Sequence, residues 1–286
     1  VGDETRNRGT KLHALLEDVC NGKTVSTADR IDFASELDQY EHFRHDYHII
    51  APDLRGHGDS EWMLGGSYNQ IDYVYDIAQL LQQKQMSPVT VIGHSLGGSI
   101  SLLYTALHPE RVNKLVAIEG MGPPPSMIKQ RMDQTMSERL HGWMNDVRKS
   151  SGRLVKRYPS LEDAFQRMQT ENPHLSEAQA RHLTIHGSNQ NEDGTFSWKF
   201  DNYVRNFSPI GIPFGDMATL YGDITCPTLL VRGLESWASD PIADGRTKSF
   251  NCPLEVEAFA DAGHWVHHDQ LDGFVERVKT FLNRPA

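Results

Sequence analysis

The stretch VTVIGHSLGGSI, residues 89–100, joins a short apolar run to a serine that stands among three glycines. The run before the serine is typical of a buried strand, and the residues after it favour a helix. Gly93, Ser95 and Gly97 fit the pattern G-x-S-x-G, in which a sharp strand-to-helix turn exposes a nucleophilic serine. We therefore expect strained dihedral angles at Ser95, and close approach of strand and helix at the two glycines.

Short apolar segments alternate with helical patterns along most of the chain. An apolar period of three and four residues falls between residues 71 and 81 and again between 271 and 282, and each predicts a helix. Alternation of strands and helices predicts an α/β fold with a mostly parallel, doubly wound sheet. The predicted strands are residues 47–52, 89–93, 114–119, 228–233 and 254–259.

One long segment interrupts this alternation. Residues 123–220 contain apolar stripes at helical spacing, rich in methionine, but little that predicts a strand. We interpret this segment as an inserted helical cap. The α/β core is then predicted to consist of residues 1–122 and 221–286.

Composition excludes several classes of partner and site. The formal net charge is −10, which would repel nucleic-acid phosphates and anionic lipid surfaces, so we expect neither nucleic acid nor membrane as a partner. The three cysteines are scattered and form no paired motif, which favours a reducing cytoplasm over a disulfide framework. No apolar run is long enough for a membrane span, and His264, His267 and His268 lack the carboxylate pattern of a metal site. We expect no metal.

Three segments carry a resemblance to a known family. APDLRGHGDS (51–60), GHSLGG (93–98) and DAGHWVHHDQ (261–270) occur in the order seen in the α/β-hydrolase superfamily. They resemble in particular the capped bacterial serine hydrolases and esterases related to haloalkane dehalogenases and epoxide hydrolases. The resemblance implies that His264 is the general base for Ser95. Its position agrees, because His264 follows a predicted strand and a glycine on a loop able to reach the serine.

The carboxylate of the expected triad has three candidates. The family commonly has an aspartate after the seventh strand, where this chain has Trp237, with Glu235 and Asp240 nearby. A second arrangement in the family places the acid after the sixth strand, where Glu119 ends the run KLVAIE. A buried carboxylate at a strand end must be paired, and His264 is the available partner. We favour Glu119, then Asp240, then Glu235; Asp240 before Pro241 also suits a helix cap.

The amino-terminal part departs from the family pattern. The amide of Leu96 is the expected first donor to an oxyanion. A His-Gly pair usually precedes the second donor, whereas this chain offers only Asn21 and Gly22, which makes Lys23 the candidate. Loss of one such donor typically lowers the rate by a factor of about 10² to 10³.

These patterns predict a serine hydrolase that cleaves carboxylic esters of small to medium apolar acyl groups through an acyl-enzyme and without a cofactor. The small-molecule substrate is expected to contact His94, Met127, Trp143 and Trp265. Thioester or carbon–carbon bond hydrolysis would use the same groups. A non-catalytic ligand-binding relative with a defective oxyanion hole is the alternative from a different class.

Overall fold

The computed structural model describes residues 42–43, 46–63, 68–151, 155–206 and 208–285. These residues divide into two compact units: the first holds those up to residue 63 and those from 151 to 204, and the second holds the rest. This division does not coincide with the predicted boundaries, since residues 123–150 and 205–220 fall in the same unit as the sheet. The cap over the active site stays a prediction.

The described elements alternate much as the sequence predicts. The strands are β1 Val89–His94, β2 Val112–Ile118, β3 Ser188–Gln190, β4 Phe196–Trp198, β5 Thr228–Gly233 and β6 Leu254–Phe259. The helices are α1 Gln70–Gln83, α2 Leu96–Leu107, α3 Pro125–Met132, α4 Met136–Ser151, α5 Leu161–Glu171, α6 Glu177–Gly187, α7 Phe214–Gly222, α8 Val266–Asp269 and α9 Leu271–Leu282. Short 3-10 turns follow α2 and precede α7 and β6.

The second unit is built on a parallel sheet with strand order β1-β2-β5-β6. The inner parts of the central strands, residues 115–118 of β2 and 229–231 of β5, are continuous apolar runs, as expected where both faces of a strand are covered. Helix α2 packs on β1 and β2, and both α1 and α7 pack on α2. Because all four strands run in the same direction, their carboxyl ends meet at one edge. The segments that follow β1, β2, β5 and β6 therefore lie together there.

A continuous apolar core supports this edge. Six aliphatic side chains of α2, β2, β5 and α9 are fully inaccessible to solvent: Leu102, Leu103, Leu115, Val116, Leu229 and Val278. Each such side chain contributes about 1.5–3 kcal/mol through removal of its apolar surface from water. The predicted helix α9 buries its expected apolar face. Helix α1 does so only in part, since Ile71 and Tyr75 are exposed while Tyr73 and Val74 are buried.

The first unit holds helices α5 and α6, which pack against each other, and the antiparallel pair β3 and β4. Ser176 caps α6 by accepting a hydrogen bond from the Gln179 amide. The indole of Trp198 donates to the hydroxyl of Tyr158 at 3.1 Å. This hairpin differs from the prediction for residues 123–220, where helices with little strand were expected.

One of the segments that suggested the family resemblance, residues 51–60, is held in this unit by residues that follow β4. The amide of Gly58 donates to the Lys199 carbonyl at 2.7 Å, and the Asp201 amide donates to the Gly56 carbonyl at 2.8 Å. Lys199 also pairs with Asp59 at 3.1 Å. The loop after residue 52 is thus fixed by residues that follow β4.

The prediction of a strand at residues 47–52 was wrong for the described part of the chain, where this segment has no ladder partner. An apolar run alone does not make a strand, because a strand also requires a neighbour for its backbone groups. Among the described residues, no helix is long and apolar enough to cross a membrane.

Candidate active site

Ser95 occupies a strained turn between β1 and α2. Its backbone has φ 53° and ψ −115°, a conformation that L-residues rarely adopt. The Ser95 amide donates to the Ile118 carbonyl at 2.8 Å, which fastens the turn to the end of β2. A Cβ on Gly93 would lie 2.4 Å from the Gly97 carbonyl oxygen, so this position admits only glycine. The Ser95 side chain is thereby presented at the carboxyl edge of the sheet.

The close contact between strand end and helix involves a different glycine from the one expected. A Cβ on Gly97 would meet nothing within 4 Å among the described residues, so the prediction that Gly97 must lack a side chain was wrong. The tight position is Gly98, where a Cβ would lie 2.7 Å from the Cα of Gly120. The first turn of α2 therefore packs backbone to backbone against the segment that follows β2.

His264 lies on the loop between β6 and α8. Its Nε2 atom is 2.9 Å from the Ser95 Oγ atom, within hydrogen-bond distance. Its Nδ1 atom is 3.3 Å from Oε2 of Glu119. A serine, an imidazole and a carboxylate thus form one chain of contacts, in the arrangement by which a hydroxyl is activated as a nucleophile.

Glu119 directly follows β2 and is held from several sides. Its φ of 51° is, like that of Ser95, in the left-handed region. Its side chain is fully buried. The Gly233 amide donates to Oε1 at 2.8 Å, and the Ser236 hydroxyl donates to Oε2 at 2.6 Å. The site thus satisfies this buried acid with dedicated hydrogen bonds.

The other two candidate acids have different surroundings. Asp240 accepts from the Ile242 amide at 2.8 Å through Oδ1, and its Oδ2 lies 3.3 Å from Arg232. These contacts are those of a turn-capping residue. Glu235 is exposed. The indole of Trp237, at the position where the family commonly has an aspartate, lies beside the imidazole of His264 with ring centroids 5.2 Å apart.

His94, the residue before the serine, joins the elbow to the histidine loop. Its Nε2 donates to the backbone carbonyl of His264 at 2.7 Å. Burial, reinforced by the nearby imidazole of His264, lowers the pKa of His94 to about 4. His94 is therefore neutral at physiological pH and acts as a donor to the His264 backbone.

The remaining predicted site residues have fewer described contacts with Ser95, His264 and Glu119. Leu96 is the first residue of α2, so its amide belongs to the unsatisfied donors of the helix start. Met127 and Trp143 are 57% and 38% exposed. The ring of Trp265 lies 5.7 Å from that of His94. Lys23 lies outside the described residues, so its predicted role as an oxyanion donor stays a prediction.

Sequence reasoning missed Ser236 and the amide of Gly233. A Cβ on Gly233 would lie 2.2 Å from the Gly263 carbonyl oxygen, so only glycine lets the segments after β5 and β6 approach here. The available signal was topological: β5 is next to β2, so donors for Glu119 were to be sought in the segment after β5. Among the described residues there is no group of three or more side chains arranged to bind a metal ion.

Comparisons with known proteins identify the fold family of the chain. Residues 32–271 match the family model described as alpha/beta hydrolase fold. The chain is 26% identical over 246 residues to the esterase Rv0045c of Mycobacterium tuberculosis, covering 82% of this chain and 74% of that protein. It is 25% identical over 244 residues to the esterase YbfF of Escherichia coli, covering 83% and 84%.

Among solved structures, a thioesterase domain from the curacin biosynthetic pathway aligns with a TM-score of 0.72 at 21% identity, covering 87% of this chain and 86% of that one. At this identity the likeness concerns the fold. The family model covers most of the chain. The chain belongs to the α/β hydrolase fold family.

Proposed function

We propose that this protein is a serine hydrolase that cleaves carboxylic esters through an acyl-enzyme, with Ser95 as nucleophile, His264 as general base and Glu119 as the acid that orients the imidazole. The observation that carries the proposal is the 2.9 Å approach of His264 Nε2 to Ser95 Oγ, with the buried Glu119 at the opposite ring nitrogen. The esterase names of two relatives support the same reaction.

The proposed acylation step follows from these contacts. Ser95 Oγ attacks the ester carbonyl carbon while His264 Nε2 takes the hydroxyl proton, and the carbonyl oxygen becomes an oxyanion. The Leu96 amide, at the positive end of α2, is the proposed donor to that oxyanion, with Lys23 as the proposed second donor. Collapse of the intermediate breaks the bond to the alcohol oxygen, which receives the proton from His264.

Deacylation repeats the same steps with water. His264 removes a proton from the water as its oxygen attacks the acyl carbon, and the proton then returns to Ser95 Oγ as the carboxylic acid leaves. Glu119 orients the imidazole and stabilises the imidazolium formed in both halves of the reaction. The carboxylate is suited to this because it is buried and receives two hydrogen bonds from other groups, at 2.8 Å and 2.6 Å.

The acyl preference of the proposed enzyme follows from the apolar residues of α3 and α4. Met127 and Trp143 are exposed at 57% and 38%, and methionine adapts its shape to varied apolar groups. We propose that such residues favour small to medium apolar acyl chains, beneath a cap formed by residues 123–220. Confinement of turnover to highly charged esters would contradict this preference.

Turnover of p-nitrophenyl acetate and butyrate tests the function. We expect wild-type protein to release p-nitrophenol and Ser95→Ala to lose at least about 10³-fold in kcat, because the nucleophile is gone. Ser99→Ala removes a hydroxyl one turn further along α2, so it is a matched control and should retain activity. Absence of turnover by wild-type protein would instead favour a ligand-binding relative, and equal activity of Ser95→Ala would exclude the proposed nucleophile.

A further inference from the structure

The segment that follows Glu119 has little means of fixing its own backbone. Glu119 is succeeded by Gly120, Met121 and Gly122, and Gly122 has a φ of 71°. A cavity of about 20 Å³, room for about one water molecule, lies against this segment. Gly120 packs against Gly98, but beyond it Gly122 has the conformational freedom of a glycine, and the cavity removes packing that would otherwise restrain this part of the segment. Another group must therefore fix the backbone beyond Gly120.

Arg246 contacts this segment from the 3-10 turn between β5 and β6. The residue is only 5% exposed, which is rare for an arginine and requires that its donors be satisfied. Its Nη1 donates to the Met121 carbonyl at 2.7 Å and more weakly to the Pro123 carbonyl at 3.4 Å. The guanidinium thus binds the backbone two and four residues beyond the acid.

The opposite side of the same guanidinium holds the loop after β5. Its Nε lies 3.0 and 2.9 Å from the two carboxylate oxygens of Asp244, and its Nη2 donates to Ser239 Oγ at 2.8 Å. The Ser239 hydroxyl in turn donates to Asp244 at 2.7 Å. This loop also carries Ser236, which donates to Glu119.

The charge of Arg246 is balanced within this cluster. Burial alone would raise the pKa of Asp244, but hydrogen bonds from Arg246 and Ser239 outweigh it, and the net effect is a lowered pKa. Asp244 is therefore ionised and pairs with Arg246. A buried ion pair satisfied on all sides is a weak source of stability, but it fixes geometry because its partners cannot move without exposing an unpaired charge.

We propose that Arg246 is a positioning residue for the proposed active site, which sets the Glu119 carboxylate by tying the segment after β2 to the loop after β5. We call Arg246, Asp244 and Ser239 the arginine clamp. The inference rests on the proposed function, because it takes Glu119 as the triad acid. Through the clamp, the backbone that carries Glu119 and the backbone that carries its hydroxyl donor Ser236 are held by one planar group.

Arg277 provides a matched control. It is also a largely buried arginine that binds two carboxylates, with Nε 2.7 Å from Glu257 and Nη2 2.6 Å from Glu255. It ties α9 to β6, and none of these residues belongs to the proposed triad. If both arginines serve only stability, substitution of either one should affect kcat to the same extent. If Arg246 positions Glu119, its substitution should lower kcat much more than substitution of Arg277.

The experiment compares kcat and KM of Arg246→Met and Arg277→Met on p-nitrophenyl butyrate, well below both melting temperatures. We expect Arg246→Met to lose about 10- to 100-fold in kcat with KM nearly unchanged, since hydrogen bonds to charged groups are lost and the acid is misplaced. Arg277→Met should keep kcat within about twofold. Arg246→Lys, which keeps the charge but not the planar fork, should recover only part of the loss. If Arg246→Met does not fold, kcat of the milder variant Ser239→Ala tests the clamp instead.

Wild-type kcat in Arg246→Met, or in Ser239→Ala where Arg246→Met does not fold, would overturn the clamp. So would losses that are equal in both arginine variants. Failure of the proposed function would appear differently, as no ester turnover by wild-type protein or as full activity of Glu119→Gln. In that case a crystal structure of Arg246→Met still decides: separation of Glu119 Oε2 from His264 Nδ1 supports the clamp, and an unchanged contact contradicts it.

Discussion

The residues that follow β1 and β2 are held in place by different kinds of contact. Each of these adjacent strands is followed by a residue with a positive φ, Ser95 with φ 53° and Glu119 with φ 51°, and both side chains contact His264. Ser95 is fixed mainly by local features, the glycines around it and the helix that starts at once, with one hydrogen bond from its amide to the Ile118 carbonyl of β2. Glu119 leads into an irregular segment and is fixed by groups distant in sequence, namely Gly233, Ser236 and, through the backbone, Arg246.

This difference teaches how the two halves of the site are encoded. A turn that is fixed by neighbouring residues leaves a sequence motif, and G-x-S-x-G is one. A residue that is fixed by hydrogen bonds from remote segments leaves no motif, because each donor is an ordinary residue in its own segment. The position of Ser95 should therefore tolerate substitutions distant in sequence, whereas the position of Glu119 should be sensitive to them.

The largest effect is expected at the end of β2. Glu119→Gln should lower kcat by about 10⁴-fold, as the corresponding change does in serine proteases, because the amide can favour the wrong imidazole tautomer and cannot stabilise imidazolium. Asp240→Asn and Glu235→Gln should change kcat several-fold at most. Steady-state kinetics at saturating substrate, with folding checked by near-UV circular dichroism, compares the three. A crippled Asp240→Asn beside an active Glu119→Gln would place the acid after β5.

The next effect concerns stability at the end of β1. The folded-state pKa of His94 is lowered to about 4, below the ordinary value of 6.5. Between these pH values the unfolded chain binds a proton at His94 that the folded chain does not. The contribution of neutral His94 to the free energy of unfolding is therefore fully present above pH 6.5 and is lost as the pH falls towards 4. His94 should account for about 3 kcal/mol of this loss in the free energy of unfolding.

His94→Gln keeps an N–H donor for the His264 carbonyl but cannot titrate, so it isolates that loss. Urea unfolding at pH 7 and pH 4 should show a smaller difference for the variant than for wild type. His267, whose pKa is also lowered well below the ordinary value by burial and by neighbouring histidines including His94, still titrates in the variant, so part of the pH dependence should remain there. An equal pH dependence of the two proteins would contradict the burial of a neutral His94.

A third change probes the contact between the two strand ends. Gly98→Ala would place a Cβ 2.7 Å from the Cα of Gly120, a backbone atom that can only move with its strand end. We expect a loss of about 1–3 kcal/mol in stability from this overpacking. Gly97→Ala, where the described structure leaves space, should be neutral or slightly stabilising because alanine favours helices. Thermal unfolding of both variants gives the comparison, and the reverse order would show that the elbow is packed differently.

The smallest effect is expected for the hydroxyl donor to Glu119. Ser236→Ala removes the 2.6 Å hydrogen bond to Oε2 and leaves the Gly233 amide in place. We expect kcat to fall about 10-fold, since a hydrogen bond to a charged group is lost but the carboxylate remains. In a Glu119→Gln background the same change should cost much less, because the residues act as a unit. Equal costs in both backgrounds would assign Ser236 a role in loop packing only.

Much of the fold and the positions of Ser95 and His264 could be expected from the sequence, because periodicity and a local motif report directly on buried faces and tight turns. Glu119 carries no motif of its own, and it could be proposed only from the family's second arrangement of the acid, the position of a carboxylate at a predicted strand end and its need for a partner. Ser236 and Arg246 could not be identified, since nothing in their own neighbourhoods distinguishes them from ordinary loop residues. The tight glycine was misassigned because the motif names Gly97, whereas the backbone contact with Gly120 falls one residue later.

Mass spectrometry of the protein quenched during turnover of p-nitrophenyl acetate tests the central claim most directly. The account predicts an acetyl group on the peptide that contains Ser95, absent from Ser95→Ala, and accumulating further in Glu119→Gln if deacylation also needs an oriented His264. Hydrolysis by wild-type protein without any acylated peptide, or acylation confined to another residue, would contradict it.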